Sequence, residues 1–306
     1  GGNHEETGHR ETVLTIGNGN FCVRGALEER VVGDNPACFV HRIWDDMPVT
    51  FTELANTPRW YGIEVWVDGV EFGIARGELV SQRRVLDLRT GVLTRIVRWR
   101  PYPAKDSAPL VELHFERWCS TAQPSLAAIR LRVTLLEGAT TEGATTEGAT
   151  TEGATTEVRV RSSFDHHVEN TGLLHWNLQA QGQTDDTAFL HMQTRTTQID
   201  LVLAAEMTAW SEAPIQKAFA DSAGQPAMER IALLAAGQCL EMEKYVHIIS
   251  SLDDDHPVAA AQELARQARQ KGFNALRAQS DAVWGQIWHD ADVCIEGDNE
   301  AQTAQR

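Results

Sequence analysis

Tyr61-Gly62-Ile63-Glu64-Val65-Trp66-Val67-Asp68-Gly69-Val70-Glu71-Phe72 alternates apolar with polar or bulky residues up to Asp68-Gly69 and then resumes. A period of two sends Ile63, Val65 and Val67 to one face of a strand, and Asp-Gly is the strongest short signal for a hairpin turn. The same alternation returns at residues 92–99, 110–118, 129–135 and 158–161. Strands that are apolar on one side only belong to antiparallel sheets resting on a core. So many of them imply two sheets packed face to face, a large β-sandwich. Strand-like text runs from about residue 11 to residue 250, which makes the chain mainly β.

After Asp255-His256-Pro257 the period changes. Asp255 reads as a helix cap and Pro257 as a first-turn residue, with the acidic run 253–255 placing negative charge at the helix start. Residues 258–270 are rich in Ala, Gln and Arg, which favour helix. Lys271-Gly272 interrupts them, and a second helix is expected from about residue 273 to 289. Its apolar face carries Phe273, Leu276, Val283, Trp284, Ile287 and Trp288, enough to cover one surface and meet another. The organisation read from this is a sandwich over residues 1–254, a two-helix linker over 255–290, and the start of a further unit over 291–306. The polar opening Gly1-Gly2-Asn3-His4 lacks a Met and reads as a trimmed or tagged start.

Glu-Gly-Ala-Thr-Thr is repeated in tandem between Glu137 and Glu157. Lying between two strand patterns, it reads as an insertion at the tip of a hairpin. Without large apolar side chains it is expected to be disordered.

Formal net charge is −16, with 43 acidic against 27 basic residues. That balance argues against nucleic acid and anionic membrane surfaces as partners and serves solubility. No apolar run is long enough to span a membrane as a helix. The five cysteines are scattered without a C-x-x-C pair, which points to a reducing, cytoplasmic setting rather than to disulfides or zinc. Cys22 and Cys119 read as small buried hydrophobes.

Several blocks, in order, resemble glycoside hydrolase family 65. Glu11-Thr12-Val13-Leu14-Thr15-Ile16-Gly17-Asn18-Gly19-Asn20 resembles its opening E-x-L-F-x-L-G-N-G-Y. Glu53-Leu54-Ala55-Asn56-Thr57-Pro58-Arg59-Trp60 is similar to E-L-V-N-L-P-N-W, and residues 84–95 resemble R-x-L-D-L-R-x-G-x-L-x-R. Arg117-Trp118-Cys119-Ser120, Val168-Glu169-Asn170-Thr171-Gly172 and Ile295-Glu296-Gly297-Asp298 fall where the family has R-F-x-S, V-x-N-x-G and I-x-G-D. The sequence departs at Asn20, where the family has Tyr, and at Arg59, where it has Asn.

The resemblance implies a super-β-sandwich of the galactose mutarotase-like kind, a two-helix linker and a following (α/α)₆ barrel that holds the catalytic residues. The family includes maltose, trehalose and kojibiose phosphorylases. It therefore implies cleavage of an α-linked glucose disaccharide by inverting phosphorolysis, with inorganic phosphate as co-substrate, no other cofactor, and the barrel and a second copy of the chain as partners. No catalytic residue or metal ligand can be carried onto this sequence. Simple hydrolysis of the same bond is the runner-up in the family. A free-standing carbohydrate-binding sandwich and a mutarotase-like enzyme are the alternatives outside it. The last needs a His and a carboxylate in one cleft, and His114, His175 and His191 read as lying on separate strands.

Within the chain, residues 41–59 are irregular and polar for a sandwich loop, and function concentrates on such loops. His41, Arg42, Trp44, Asn56 and Trp60 are the residues expected to face sugar or the barrel. Asp165-His166-His167 has the residue types of a metal site but no second cluster at usable spacing, so it reads as a turn.

Overall fold

The computed structural model describes residues 4–31, 36–46, 51–102, 108–138, 155–218 and 225–305. The chain opens with helix α1 (His4–Val13), then short strands β1 (Ile16–Gly17), β2 (Phe21–Val23), β3 (Cys38–Val40), β4 (Trp44–Asp46) and β5 (Thr52–Leu54). Long strands follow: β6 (Arg59–Val67), β7 (Val70–Glu71), β8 (Glu78–Asp87), β9 (Val92–Arg100), β10 (Leu110–Cys119), β11 (Leu126–Glu137) and β12 (Thr156–Asp165). Then come β13 (Trp176–Gln183), β14 (Thr187–Thr194), β15 (Asp200–Ser211), β16 (Ile215–Ala218), β17 (Ala227–Leu234) and β18 (Cys239–Ser250). Helices α2 (Pro257–Lys271), α3 (Phe273–Ala291) and α4 (Asn299–Gln305) complete it.

An eight-stranded sheet, in the order β13-β14-β15-β18-β11-β10-β9-β8, faces a five-stranded sheet in the order β16-β17-β12-β6-β7. All pairings are antiparallel. The main core lies between them, with Ile63, Val65 and Val67 of β6 meeting Leu113, Leu131, Val133 and Met242 of the large sheet. At the β6–β7 turn Asp68 and Gly69 both have positive φ (52° and 76°), the backbone a two-residue hairpin of this twist requires.

Helices α2 and α3 lie on the other side of the large sheet. Ala261 and Ala265 of α2 pack on Val202, Ala204 and Ile249, while Phe273 and Leu276 of α3 pack on Trp118, Leu126 and Tyr245. Farther along α3, Trp284 lies over Gly91, where a Cβ would come within 3.0 Å of its indole. Trp288 Nε1 donates to Leu88 O at 3.1 Å. The aromatic face is thus largely spent on the β8–β9 turn, leaving Ile287 exposed.

Four expectations need correction. Residues 11–13 are helical, because buried Glu11 turns to Arg24 (3.6 Å) and its carbonyl accepts from Gly25 N. The strands flanking the repeat are not a hairpin: β11 pairs with β10 and β18, β12 with β17 and β6, so the connection crosses between sheets. Residues 139–154, which hold most of the repeat, lie outside the described residues. Asp255 caps nothing; Asp254 accepts from His256 N at 2.7 Å, and α2 starts on Pro257 without a side-chain cap. Cys22 is exposed because the alternation of β2 turns Phe21 and Val23 inward, whereas Cys119 is buried as expected.

Lys244 of β18 spans the two sheets. Its fully buried Nζ donates to the carbonyls of Trp60 (2.5 Å) and Ser163 (3.2 Å) beside the Phe164 ring. Burial, helped by Arg59, pulls its pKa down to about 7.

Two outcomes are expected. Deleting two of the four repeats should leave the thermal midpoint unchanged within a few degrees, since halving a connection of this length alters closure entropy by less than about 1 kcal/mol; a larger fall would show that the segment packs on the sandwich. For Lys244, the unfolded state binds the extra proton between pH 7 and the ordinary lysine value, so the folded state gains stability as pH rises through that window. Urea midpoints of wild type against Lys244→Met should therefore shift in favour of wild type from pH 7 to pH 10, and a constant difference would contradict the assignment.

Candidate functional site

Residues 41–59 form a hairpin, β4–β5, and the turn that leads into β6. Trp44 pairs with Leu54, Asp45 with Glu53 and Asp46 with Thr52; residues 47–50 at the tip lie outside the described residues. Alternation divides the hairpin into two faces. The outer one shows Trp44, 45% exposed, with Thr52 Oγ1 donating to Asp46 Oδ1 at 2.6 Å. Such a face, an indole beside a carboxylate, can stack on an apolar sugar face and accept from hydroxyls.

The inner face is anchored. His175, just before β13 and 1% exposed, places Nδ1 3.0 Å from Asp45 Oδ2 and Nε2 3.0 Å from Glu53 Oε1. Asp45 Oδ1 also accepts from Thr196 N (2.9 Å) and Thr197 N (3.0 Å). Burial pushes the Asp45 carboxyl up, but the His175 and threonine N–H contacts outweigh it and hold it below its ordinary value.

At the foot of the hairpin Asn56 Oδ1 accepts from Cys38 N (2.9 Å), and its Nδ2 donates to Pro36 O and Glu169 O. Asn170 closes the joint, accepting from Asn56 N (2.8 Å) and donating to Leu54 O (2.8 Å).

Of the five residues singled out from the sequence, the structure separates two groups. His41, Arg42 and Trp44 are on the surface, with Arg42 at φ 67° and paired to Asp253 at 2.7 Å. Asn56 (4% exposed) and Trp60 (0%) are buried; Asn56 holds the hairpin from below, and Trp60 of β6 lies in the main core. Sequence reading missed Asp45, Glu53 and His175. Residues 41–59 read as irregular, so the alternation that puts Asp45 and Glu53 on the face opposite Trp44 was not seen, and nothing local linked them to a histidine more than a hundred residues away.

The other histidines do not join this site. His114 lies on β10, and His191 of β14 pairs with Asp200 at 2.9 Å. His175 is sealed inside rather than in a cleft, and the three histidines lie on separate elements. Asp165 ends β12 and accepts from His167 N at 3.0 Å, while His166 and His167 stack at 4.3 Å. That is a turn. Among the described residues no group of three or more His, Cys, Asp or Glu is placed to hold a metal ion, and no helix is long and apolar enough to cross a membrane.

Two antiparallel sheets packed face to face, with helices on the outer side of the larger one, define a super-β-sandwich domain. Residues 1–287 match the glycosyl hydrolase family 65 N-terminal domain, and the chain belongs to that family. It is 25% identical over 312 residues to kojibiose phosphorylase of Halothermothrix orenii, covering 97% of this chain and 37% of that protein. It is 26% identical over 332 residues to α,α-trehalose phosphorylase of Thermoanaerobacter brockii, covering 98% of this chain and 40% of that one. The solved structure of the "Putative kojibiose phosphorylase from human microbiome" has the same fold, with TM-score 0.78 at 15% identity over 100% of this chain and 39% of its own. The chain thus spans 37–40% of the length of these curated relatives.

Replacing Asn56 by Ala removes three side-chain hydrogen bonds in a buried joint and should lower unfolding free energy by about 2–4 kcal/mol. Trp44→Ala, on the surface, should change it by no more than about 0.5 kcal/mol. Chemical denaturation of the two variants checks the separation into anchor and outer face.

Proposed function

We propose that this chain is the non-catalytic N-terminal domain of an enzyme that cleaves an α-linked glucose disaccharide by inverting phosphorolysis. The observation that carries the reading is coverage: nearly the whole chain aligns with disaccharide phosphorylases while spanning 37–40% of their length. In that reading residues 255–290 link the sandwich to an (α/α)₆ barrel that begins at 291–306. A barrel carboxylic acid protonates the leaving oxygen while inorganic phosphate attacks the anomeric carbon from the opposite face. Phosphate is the co-substrate and no other cofactor takes part. The five free thiols suit a reducing cytoplasm, and a second copy of the chain is a further partner.

The sandwich contributes by positioning. The hairpin face of His41, Arg42 and Trp44 is the part we assign to the barrel mouth or the sugar, because it is exposed, aromatic and rigidly footed on Asn56, Asn170 and His175. Hydrolysis would use the same contacts with water in place of phosphate.

The chain by itself should release no glucose 1-phosphate from kojibiose, trehalose or maltose in phosphate buffer, whereas the chain continued into its barrel should. Activity of the isolated chain would overturn the proposal. In the longer enzyme Trp44→Ala should raise KM several-fold with a smaller effect on kcat, and an unchanged KM would remove the hairpin from the sugar's reach.

A further inference from the structure

We infer that the cleft between the β8–β9 turn and the C-terminal end of α3 is a binding site for one neutral pyranose ring, seated on the Trp288 indole and hydrogen-bonded by Arg89 and the carboxylates of Asp87 and Asp292. The cleft is formed wholly within this chain and depends neither on a following barrel nor on the disaccharide assigned above.

The turn holds its side chains in place. Asp87 closes it: Oδ1 accepts from Arg89 N and Oδ2 from Thr90 Oγ1, both at 2.9 Å, while its carbonyl accepts from Gly91 N at 2.8 Å. Gly91, at φ 64°, lets the turn lie against Trp284. One helical turn farther on, Trp288 Nε1 donates to Leu88 O at 3.1 Å. Asp292 ends α3, its N–H donating to Trp288 O at 3.0 Å. These contacts gather Asp87, Leu88, Arg89, Trp288 and Asp292 around an open cleft of about 200 Å³.

The chemistry of that lining selects the ligand. The polar edge of Trp288 is spent on Leu88 O, so what remains for a ligand is the half-buried ring itself. An aromatic ring face is what the C–H side of a pyranose stacks on. Each Asp87 oxygen takes one hydrogen bond within the turn and, as a carboxylate oxygen, can accept another. Arg89 is exposed. Its backbone N–H serves the turn, yet among the described residues its guanidinium has no partner, so nothing in the fold uses the charge that the third family block supplies. A fork of donors beside carboxylate acceptors suits hydroxyls, which both donate and accept. Two carboxylates against one guanidinium leave the cleft negative, which disfavours phosphate esters. Among the described residues no group is placed to hold a metal ion here. Size sets the extent. Pockets that enclose a drug-sized ligand run to about 300–1,000 Å³, so this cleft takes one ring and leaves the rest of an oligosaccharide outside.

Titration of the chain with methyl α-D-glucopyranoside, followed by the NMR signals of the Trp288 indole N–H and the Gly91 amide, tests the site. Saturable shifts are expected with Kd on the order of millimolar, the affinity that one stacked ring with water-exposed hydrogen bonds supports. Trp288→Ala, followed at Gly91, should weaken binding about tenfold. Arg89→Ala should weaken it about threefold, and Trp210→Ala, which removes an exposed indole of β15, should leave it unchanged. Glucose 1-phosphate should bind several-fold more weakly than the methyl glucoside. Absence of saturation up to about 100 mM, or wild-type affinity in Arg89→Ala, would overturn the site, and tighter binding of glucose 1-phosphate would overturn its assignment to a neutral sugar. Arg89 is exposed, so its variant stays informative if Trp288→Ala loosens α3. In the barrel-containing enzyme the methyl glucoside should slow hydrogen exchange over residues 88–91. Binding in this chain without that protection in the longer enzyme would make the cleft a seat for the neighbouring domain and would overturn the sugar site.

Discussion

The sandwich depends on how it buries residues 25–29, a stretch with no regular structure threaded among strands of both sheets. Backbone carbonyls shut away from water must find donors, and arginines provide them. Arg84 of β8 donates to Gly25 O, Arg117 of β10 to Ala26 O (3.1 Å), and Arg59 of β6 reaches the carbonyls of Leu27, Glu28 and Glu29 at 2.6–3.0 Å. The side chains of Glu28 and Glu29 are buried with them. Arg95 grips Glu29 through both terminal nitrogens (2.5 and 2.7 Å) and reaches Glu28 at 3.0 Å. Burial pushes the Glu28 carboxyl up, yet Arg117, Arg95 and Arg84 outweigh it and keep it below its ordinary value. An unpaired buried carboxylate would cost several kcal/mol, so removing any one of these guanidiniums leaves charge or carbonyls stranded in the core.

This strap explains a departure from the family pattern. Where the family pattern it resembles has Asn after the proline of the second block, this chain has Arg59, and its guanidinium is what holds three successive strap carbonyls. The same side chain is a neighbouring positive charge for Lys244. One substitution therefore reaches both the strap and the lysine that bridges the sheets.

From that base residues of the other family blocks act as joints. Asn18 of the first block donates to Ser120 O of the fourth (2.7 Å), and Asn56 of the second meets Asn170 of the fifth. The turn of the third carries Gly91 and Leu88 against Trp284 and Trp288 of α3. The outer face of β4–β5 is the part of the domain that is aromatic, exposed and firmly footed.

Local chemistry determined much of this on its own. Alternation of period two identified β6, β9, β10, β11 and β12 and turned Ile63, Val65 and Val67 inward, because a strand's side chains must point to opposite faces. Asp68-Gly69 marked a turn because both residues accept the positive φ that a two-residue hairpin needs, and the change to Ala-rich text at residue 258 marked α2. Tertiary structure alone decided which strand pairs with which. The alternation in β11 and β12 is compatible with a hairpin, yet hydrogen-bond partners supplied from far along the chain, β18 and β6, assign them to different sheets. Likewise nothing in the neighbouring sequence marks Glu28, Glu29 and Asp45 as buried. Their burial is compensated by Arg95, Arg117 and His175, which come from strands and loops distant in sequence, and the free energy of a buried charge is set by those partners rather than by its neighbours in the chain.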